Sequence, residues 1–174
     1  AIEPEVHRHV SPAPLIRCMP NTPAMIQTGA TALFAGQDVS NAQRNIAESI
    51  LRAVGLTLWV EDEALLDAVT ALSGSGPAYV FLVMEAMEAA ATRLGLDARQ
   101  ARLLTLQTVL GAARMAIEAE DPPATLRSRV TSPGGTTEQA LRVFEEGDLA
   151  ALFHQAMQAA QQRSVELSRL LGAS

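Results

Sequence analysis

A single cysteine, Cys18, stands in the whole chain, so no intramolecular disulfide framework can form, and this usage suits a reducing compartment such as the cytoplasm. Set in a short apolar stretch, Cys18 reads as a packing residue. Basic charge is also short. Against 19 acidic side chains there are 13 Lys and Arg, a formal net charge of −6, which argues against nucleic acid or an anionic membrane as a partner because phosphates need a basic footprint. Aromatics are only 3% of the residues. No run reaches the ~18 apolar residues needed to span a bilayer, since the most apolar stretch, Ala78 to Met84, is closed by Glu85. No P-loop, metal-ligand cluster or Ser/His/Asp arrangement stands out. His7 and His9 have no carboxylate or cysteine at ligand spacing and read as solvated, and His154 as structural or exposed. The chain opens Ala1-Ile2-Glu3-Pro4, without Met or a signal-peptide pattern, and reads as beginning inside a longer protein.

What is present is an Ala- and Leu-rich chain of 174 residues with 48% hydrophobic content, enough for one domain and part of another. Residues 1 to 14 read as loop or frayed helix. Three short strands are predicted at Leu15–Met19, Ala30–Ala35 and Leu56–Val60, each bounded by Pro or Gly. A helix between the last two starts at Asp38 to Ser40, carries Ile46, Ile50, Leu51 and Val54 on one face, and stops at Gly55. This is the tail end of an α/β sheet. From Glu61 on, only helices follow: Ala64–Leu72, broken by Ser73-Gly74-Ser75-Gly76; Pro77–Leu94; one capped by Asp97 and Gln100 that runs to Glu118; Asp121–Val130; Thr137–Glu146; and Leu149–Leu171. The helix from Pro77 is apolar nearly all round, with a narrow polar stripe of Glu85, Glu88 and Thr92, so something must cover it. In a chain this short, a second subunit is expected to do so.

The segment Arg129-Val-Thr-Ser-Pro-Gly-Gly-Thr-Thr-Glu138 reads as a binding loop. Pro133 stiffens its entry, and Gly134 and Gly135 permit close approaches. Thr136 with Gln139 fits a capping box, which would gather the N–H groups of Gly135, Thr136 and Thr137 at a helix N-terminus. Free N–H groups and the helix dipole favour a carboxylate or phosphate there. The plainer reading is a capped turn joining two helices. A second glycine-bearing stretch, Gly74-Ser75-Gly76-Pro77-Ala78-Tyr79, begins like a dinucleotide fingerprint. It has Tyr79 for the third glycine, Pro77 in the turn and a helix before it, so it reads instead as a sharp helix-to-helix turn.

Three motifs, in order and spacing, resemble pyrroline-5-carboxylate reductase: Arg17 to Pro23 (RCMPNTP), Asp67 to Tyr79 (DAVTALSGSGPAY) and Val130 to Thr137 (VTSPGGTT). The resemblance covers about residues 15 to 172. It implies a mostly α fold: a helical dimerisation domain of the 6-phosphogluconate-dehydrogenase-like type over residues 61–174, preceded at 1–60 by the last strands of a Rossmann-like NAD(P)-binding domain. It also implies reduction of 1-pyrroline-5-carboxylate to L-proline with NADPH or NADH, by homodimers that can assemble into larger rings. The carboxylate and ring of the substrate would meet Glu63, Ser132, Gly134, Gly135, Thr136 and Thr137. The Thr137 hydroxyl would hydrogen-bond the ring nitrogen, and Glu63 would favour the protonated imine or lie on a proton route. Met19, Pro20 and Asn21 match the turn near the nicotinamide. Arg129 stands where some relatives carry a smaller polar residue that meets the cofactor.

Two βαβ units, on the order of 60 or more residues, do not precede Leu15. The chain is therefore expected to be a C-terminal portion that, alone, binds NADPH weakly and turns over little. A non-catalytic helical dimerisation module derived from the same family is the alternative reading. A related reductase acting on another imine or a β-hydroxy acid would lack the Ser-Pro-Gly-Gly-Thr-Thr loop.

Overall fold

The structure, a computed structural model, describes residues 14–172. His7, His9 and the loop expected over residues 1 to 14 lie, but for Pro14, outside the described residues. The chain forms two compact units, one through Ala78 together with the chain from His154 on, the other Tyr79–Phe153.

In the first unit, β1 (Ile16–Met19), β2 (Gly29–Ala35) and β3 (Gly55–Trp59) make a sheet in the order β1-β2-β3. β1 is antiparallel to β2, with Ile16 opposite Ala35, and β3 is parallel to β2, with Gly29 opposite Gly55. The middle strand carries the core: Thr31, Ala32, Leu33 and Ala35 are buried, as a strand covered on both faces requires. Between β1 and β2 the chain makes a 3-10 helix, Thr22–Ile26, ended by Gln27 at φ 60. The parallel β2–β3 connection is α1 (Asn41–Arg52), started by a capping box in which Ser40 accepts from the Gln43 N–H. Its C-cap is Ala53. Gly55, read from the sequence as the stop of this helix, is instead the first residue of β3 at φ 147.

One polar cluster pins α1 to β3. Glu48 accepts from Trp59 Nε1 at 3.0 Å and from Arg52 at 2.6 Å, while the Arg44 guanidinium lies 5.0 Å from the Trp59 ring centre. The indole N–H first, then the Arg52 charge and hydroxyl of Thr57, hold the Glu48 carboxyl below its ordinary 4.5. Its folded-state value is thus depressed, so its contribution to stability is present above 4.5 and is lost as pH falls through the folded value. Trp59 is the one tryptophan of the chain. Its fluorescence is expected to titrate with a midpoint below 4.5, and Glu48→Gln to abolish that transition; an unchanged titration in the variant would show that another group is responsible.

α2 (Leu65–Val69) follows β3, with Leu66 buried. The helix expected to break at Ser73 does not break there. Thr70–Gly74 forms a π turn, closed by Ser75 N–H to Thr70 O at 2.8 Å, and α3 (Gly76–Arg93) follows at once. The predicted sharp turn is thus a widened helical turn. Glycine does serve close packing at Gly74, where an added Cβ would stand 2.5 Å from Met19 Cε, but at Gly76 nothing lies within 4 Å. The merged helical run Leu65–Arg93 is, by length and composition alone, apolar enough to cross a membrane, which corrects the sequence reading that no such segment exists. That reading stopped at Glu85 and at a break that is absent. None of the residues of α3 is buried, and Phe81 and Leu82 are 59% and 65% exposed.

α3 ends in a Schellman turn: Gly95, at φ 105, donates to Thr92 O, and Leu96 N–H to Ala91 O. In the second unit, α4 (Ala98–Glu118) starts with the expected Asp97–Gln100 capping box and buries Ala101 and Thr105. α5 (Pro123–Arg129) and α6 (Thr136–Glu146) flank the Pro-Gly-Gly loop. α7 (Leu149–Gly172) closes the described chain, with His154 exposed in it.

Candidate active site

The loop is held by its own backbone. Thr131 Oγ1 donates to the Arg127 carbonyl at 2.7 Å, closing α5, and Gly135 N–H donates to Ser132 O at 2.9 Å. Gly134, between them, takes φ 71, a left-handed conformation that glycine adopts without cost. The helix therefore begins one residue earlier than the sequence suggested: Gly135 is the N-cap, Thr136 the first helical residue, and no side chain caps the end. The predicted Thr136–Gln139 capping box is absent, since Gln139 N–H goes to the Gly135 carbonyl at 3.3 Å. Of the three N–H groups expected to gather, Gly135's is spent inside the turn. Those of Thr136, Thr137 and Glu138 find no acceptor among the described residues. These are the orphan donors of an uncapped helix, lying at the positive end of its dipole. Ser132, Gly134, Thr136 and Thr137 are exposed, Gly135 half-buried. Chemically, open N–H groups at a helix start can bind an anion such as a carboxylate, and the Glu138 carboxylate lies in the same turn, on Gly134 N–H.

Arg129, which stands where some relatives carry a smaller polar residue that meets the cofactor, forms a two-pronged ion pair with Asp121 that brackets α5, with Nη2 to Oδ1 at 3.1 Å. Arg127 approaches Glu145 at 3.7 Å, so α5 and α6 are tied across the loop.

Glu63, Met19, Pro20 and Asn21 belong to the first unit, the loop residues and Arg129 to the second. Glu63 is half-buried and salt-bridged to Arg17 of β1. The pair lines a cavity of about 240 Å³ with Asp62, Leu66, Asp67 and Ser168. Asp67 accepts from Ser164 of α7 at 2.6 Å, fastening that helix to α2. Sequence reasoning found neither Arg17 nor the Asp67–Ser164 pair as partners; at separations of 46 and 97 residues no local signal carries them. Asn21 Oδ1 accepts from Ala30 N–H at 2.9 Å, which sets the turn after β1, while Met19 packs against Gly74 and Pro20 is exposed.

Residues 63–167 match the family described as pyrroline-5-carboxylate reductase dimerisation. The chain belongs to the pyrroline-5-carboxylate reductase family. It is 56% identical over 161 residues to the pyrroline-5-carboxylate reductase of Pseudomonas aeruginosa, an alignment covering 92% of this chain and 59% of the relative. Among solved structures, a pyrroline-5-carboxylate reductase from Coxiella burnetii superposes with a TM-score of 0.92 at 53% identity, covering 95% of this chain and 62% of that one. The Plasmodium falciparum pyrroline carboxylate reductase with NADP bound superposes at 0.82 with 28% identity, over 93% and 60% of the two chains. The chain thus spans about three-fifths of the length of the curated relatives it matches. The mostly helical fold, with a few strands ahead of a helical dimerisation region, is as the motifs implied.

Proposed function

We propose that this chain is the substrate-binding and dimer-forming part of a cytoplasmic reductase that converts 1-pyrroline-5-carboxylate to L-proline with NADPH or NADH. Residues 1–60 are assigned to the end of an NAD(P)-binding α/β domain and 61–174 to a helical domain that pairs with a second copy, in dimers able to build larger rings. The observation that carries the reading is the set of unpaired N–H groups of Thr136 and Thr137 at the start of α6, in a chain of this family.

The residues divide the work. The substrate carboxylate sits on the Thr136 and Thr137 N–H groups, with Ser132, Gly134 and Gly135 shaping the seat. The Thr137 hydroxyl hydrogen-bonds the ring nitrogen and orients one face of the C=N bond. Glu63, fixed by Arg17, is the carboxylate that favours the protonated imine. The cofactor fit is partial. Met19, Pro20 and Asn21 offer a turn in which Asn21 keeps its amide N–H groups available after its oxygen is used. Arg129 is committed to Asp121, and the described strands are not followed by a glycine-rich phosphate cradle. When bound, the nicotinamide supplies hydride to the ring carbon of the C=N bond.

Two variants test the seat through L-proline affinity, measured by calorimetry on the 174-residue chain. Thr136→Pro removes one donor without harming the helix, because proline suits a first helical position and Gly135 before it is already extended. Thr137→Ala removes the hydroxyl. Each is expected to weaken proline binding about tenfold at unchanged thermal stability. Unaltered affinity in Thr136→Pro would refute the seat. The non-catalytic module is favoured only if the chain dimerises and binds no proline at all.

A further inference from the structure

The α6 N-terminus has no side-chain cap, yet the loop before it is fastened. Gly134 N–H donates to Glu138 Oε2 at 2.8 Å, and Glu138 is the third residue of the helix. The carboxylate therefore reaches back past the N-cap to the one residue of the loop whose φ is positive. Nothing lies within 4 Å of where a Gly134 Cβ would point, and the turn around it is closed by Gly135 N–H to Ser132 O at 2.9 Å. The hydrogen bond that Gly134 N–H donates to the Glu138 carboxylate is a second tie on the same turn.

A carboxylate in this turn has two possible effects. It can hold the loop, or it can occupy the seat and repel an anionic ligand. The partner decides between them. Glu138 accepts from Gly134, outside the helix, and from none of Thr136, Thr137 or its own N–H, so the donors of the seat stay open. We propose that Glu138 is a positioning residue: its carboxylate clamps Gly134 so that the Thr136 and Thr137 N–H groups stay aimed at a ligand carboxylate. This rests on the seat assigned above and adds the device that keeps it shaped. The clamp requires an acceptor oxygen and not a charge, which makes it separable from electrostatics.

The test is L-proline titration of the full chain and of Glu138→Ala and Glu138→Gln, with hydrogen exchange followed at the Gly134 amide. In Glu138→Ala the dissociation constant is expected to rise about tenfold, the worth of one hydrogen bond, and the Gly134 amide to exchange faster. Glu138→Gln keeps an amide oxygen in place and is expected to restore both to near the unsubstituted values. Equal or tighter binding by Glu138→Ala would overturn the proposal, since the carboxylate would then be a rival of the ligand. So would a Glu138→Gln variant as weak as Glu138→Ala. If Thr136→Pro weakens binding while Glu138→Ala does not, the clamp alone fails. If Thr136→Pro has no effect, the seat fails and takes the clamp with it.

Discussion

Gly55→Ala is expected to destabilise the first unit by about 3–5 kcal/mol, the sum of backbone strain and overpacking. Gly55 opens β3 at φ 147, which an L side chain rarely adopts, and an added Cβ would stand 2.0 Å from the Gly29 carbonyl oxygen and 2.5 Å from its nitrogen. Those are backbone atoms of the residue paired with Gly55 in the parallel register. They cannot move without opening the β2–β3 ladder, which carries the buried Thr31, Ala32 and Leu33. Relief by a side-chain shift is therefore closed. Gly76→Ala is the internal contrast. It meets nothing within 4 Å, its φ is helical, and it is expected to be neutral or to stabilise by up to about 1 kcal/mol. Urea unfolding of both variants decides it, and a Gly55→Ala midpoint equal to the unsubstituted one would show that the two strands do not meet as described.

Leu82→Glu is expected to turn a dimer into a folded monomer. Leu82 is 65% exposed and Phe81 59% on a helix with no buried residue, inside the stretch that matches a dimerisation family. Burying a leucine is worth about 1.5–3 kcal/mol, and a two-fold interface counts the change twice. With the added cost of placing a carboxylate against apolar surface, the dimer dissociation constant should rise by about 10³-fold or more. Ile46→Glu supplies the control: Ile46 is 61% exposed, but on α1, outside the matched residues. Sedimentation should show the first variant monomeric and the second dimeric. Dimers that survive Leu82→Glu would place the interface elsewhere.

Local chemistry made much of this legible. Proline and glycine bounded the three strands to within about a residue, and the Asp97–Gln100 pair announced a capping box that forms as read. The Thr136–Gln139 pair has the same signature and forms none. There the left-handed Gly134 and the Gly135-to-Ser132 hydrogen bond bring Gly135 to the cap position, and the acidic side chain of Glu138 reaches the loop instead. A pair three apart in sequence predicts a cap only where the preceding backbone leaves the first residue non-helical. The π turn was illegible for a related reason: Ser73 to Gly76 looks like punctuation, but the helix continues through Ser75 N–H to Thr70 O, with the Thr70 hydroxyl on Leu66 O at 2.8 Å. Arg129 could be recognised as lying beside the loop, but its pairing with Asp121 depends on α5 bringing residues eight apart together. The free N–H groups at the start of α6 were legible because they are backbone groups next to one another in sequence, and Arg17–Glu63 was missed because its partners are not.

The most direct measurement is an amide spectrum of the chain labelled with ¹⁵N, recorded as L-proline is added. The account predicts saturable shifts concentrated at the N–H groups of Thr136, Thr137 and Glu138, the donors without acceptors at the start of α6. Shifts confined to other residues, or none at millimolar proline, would contradict it.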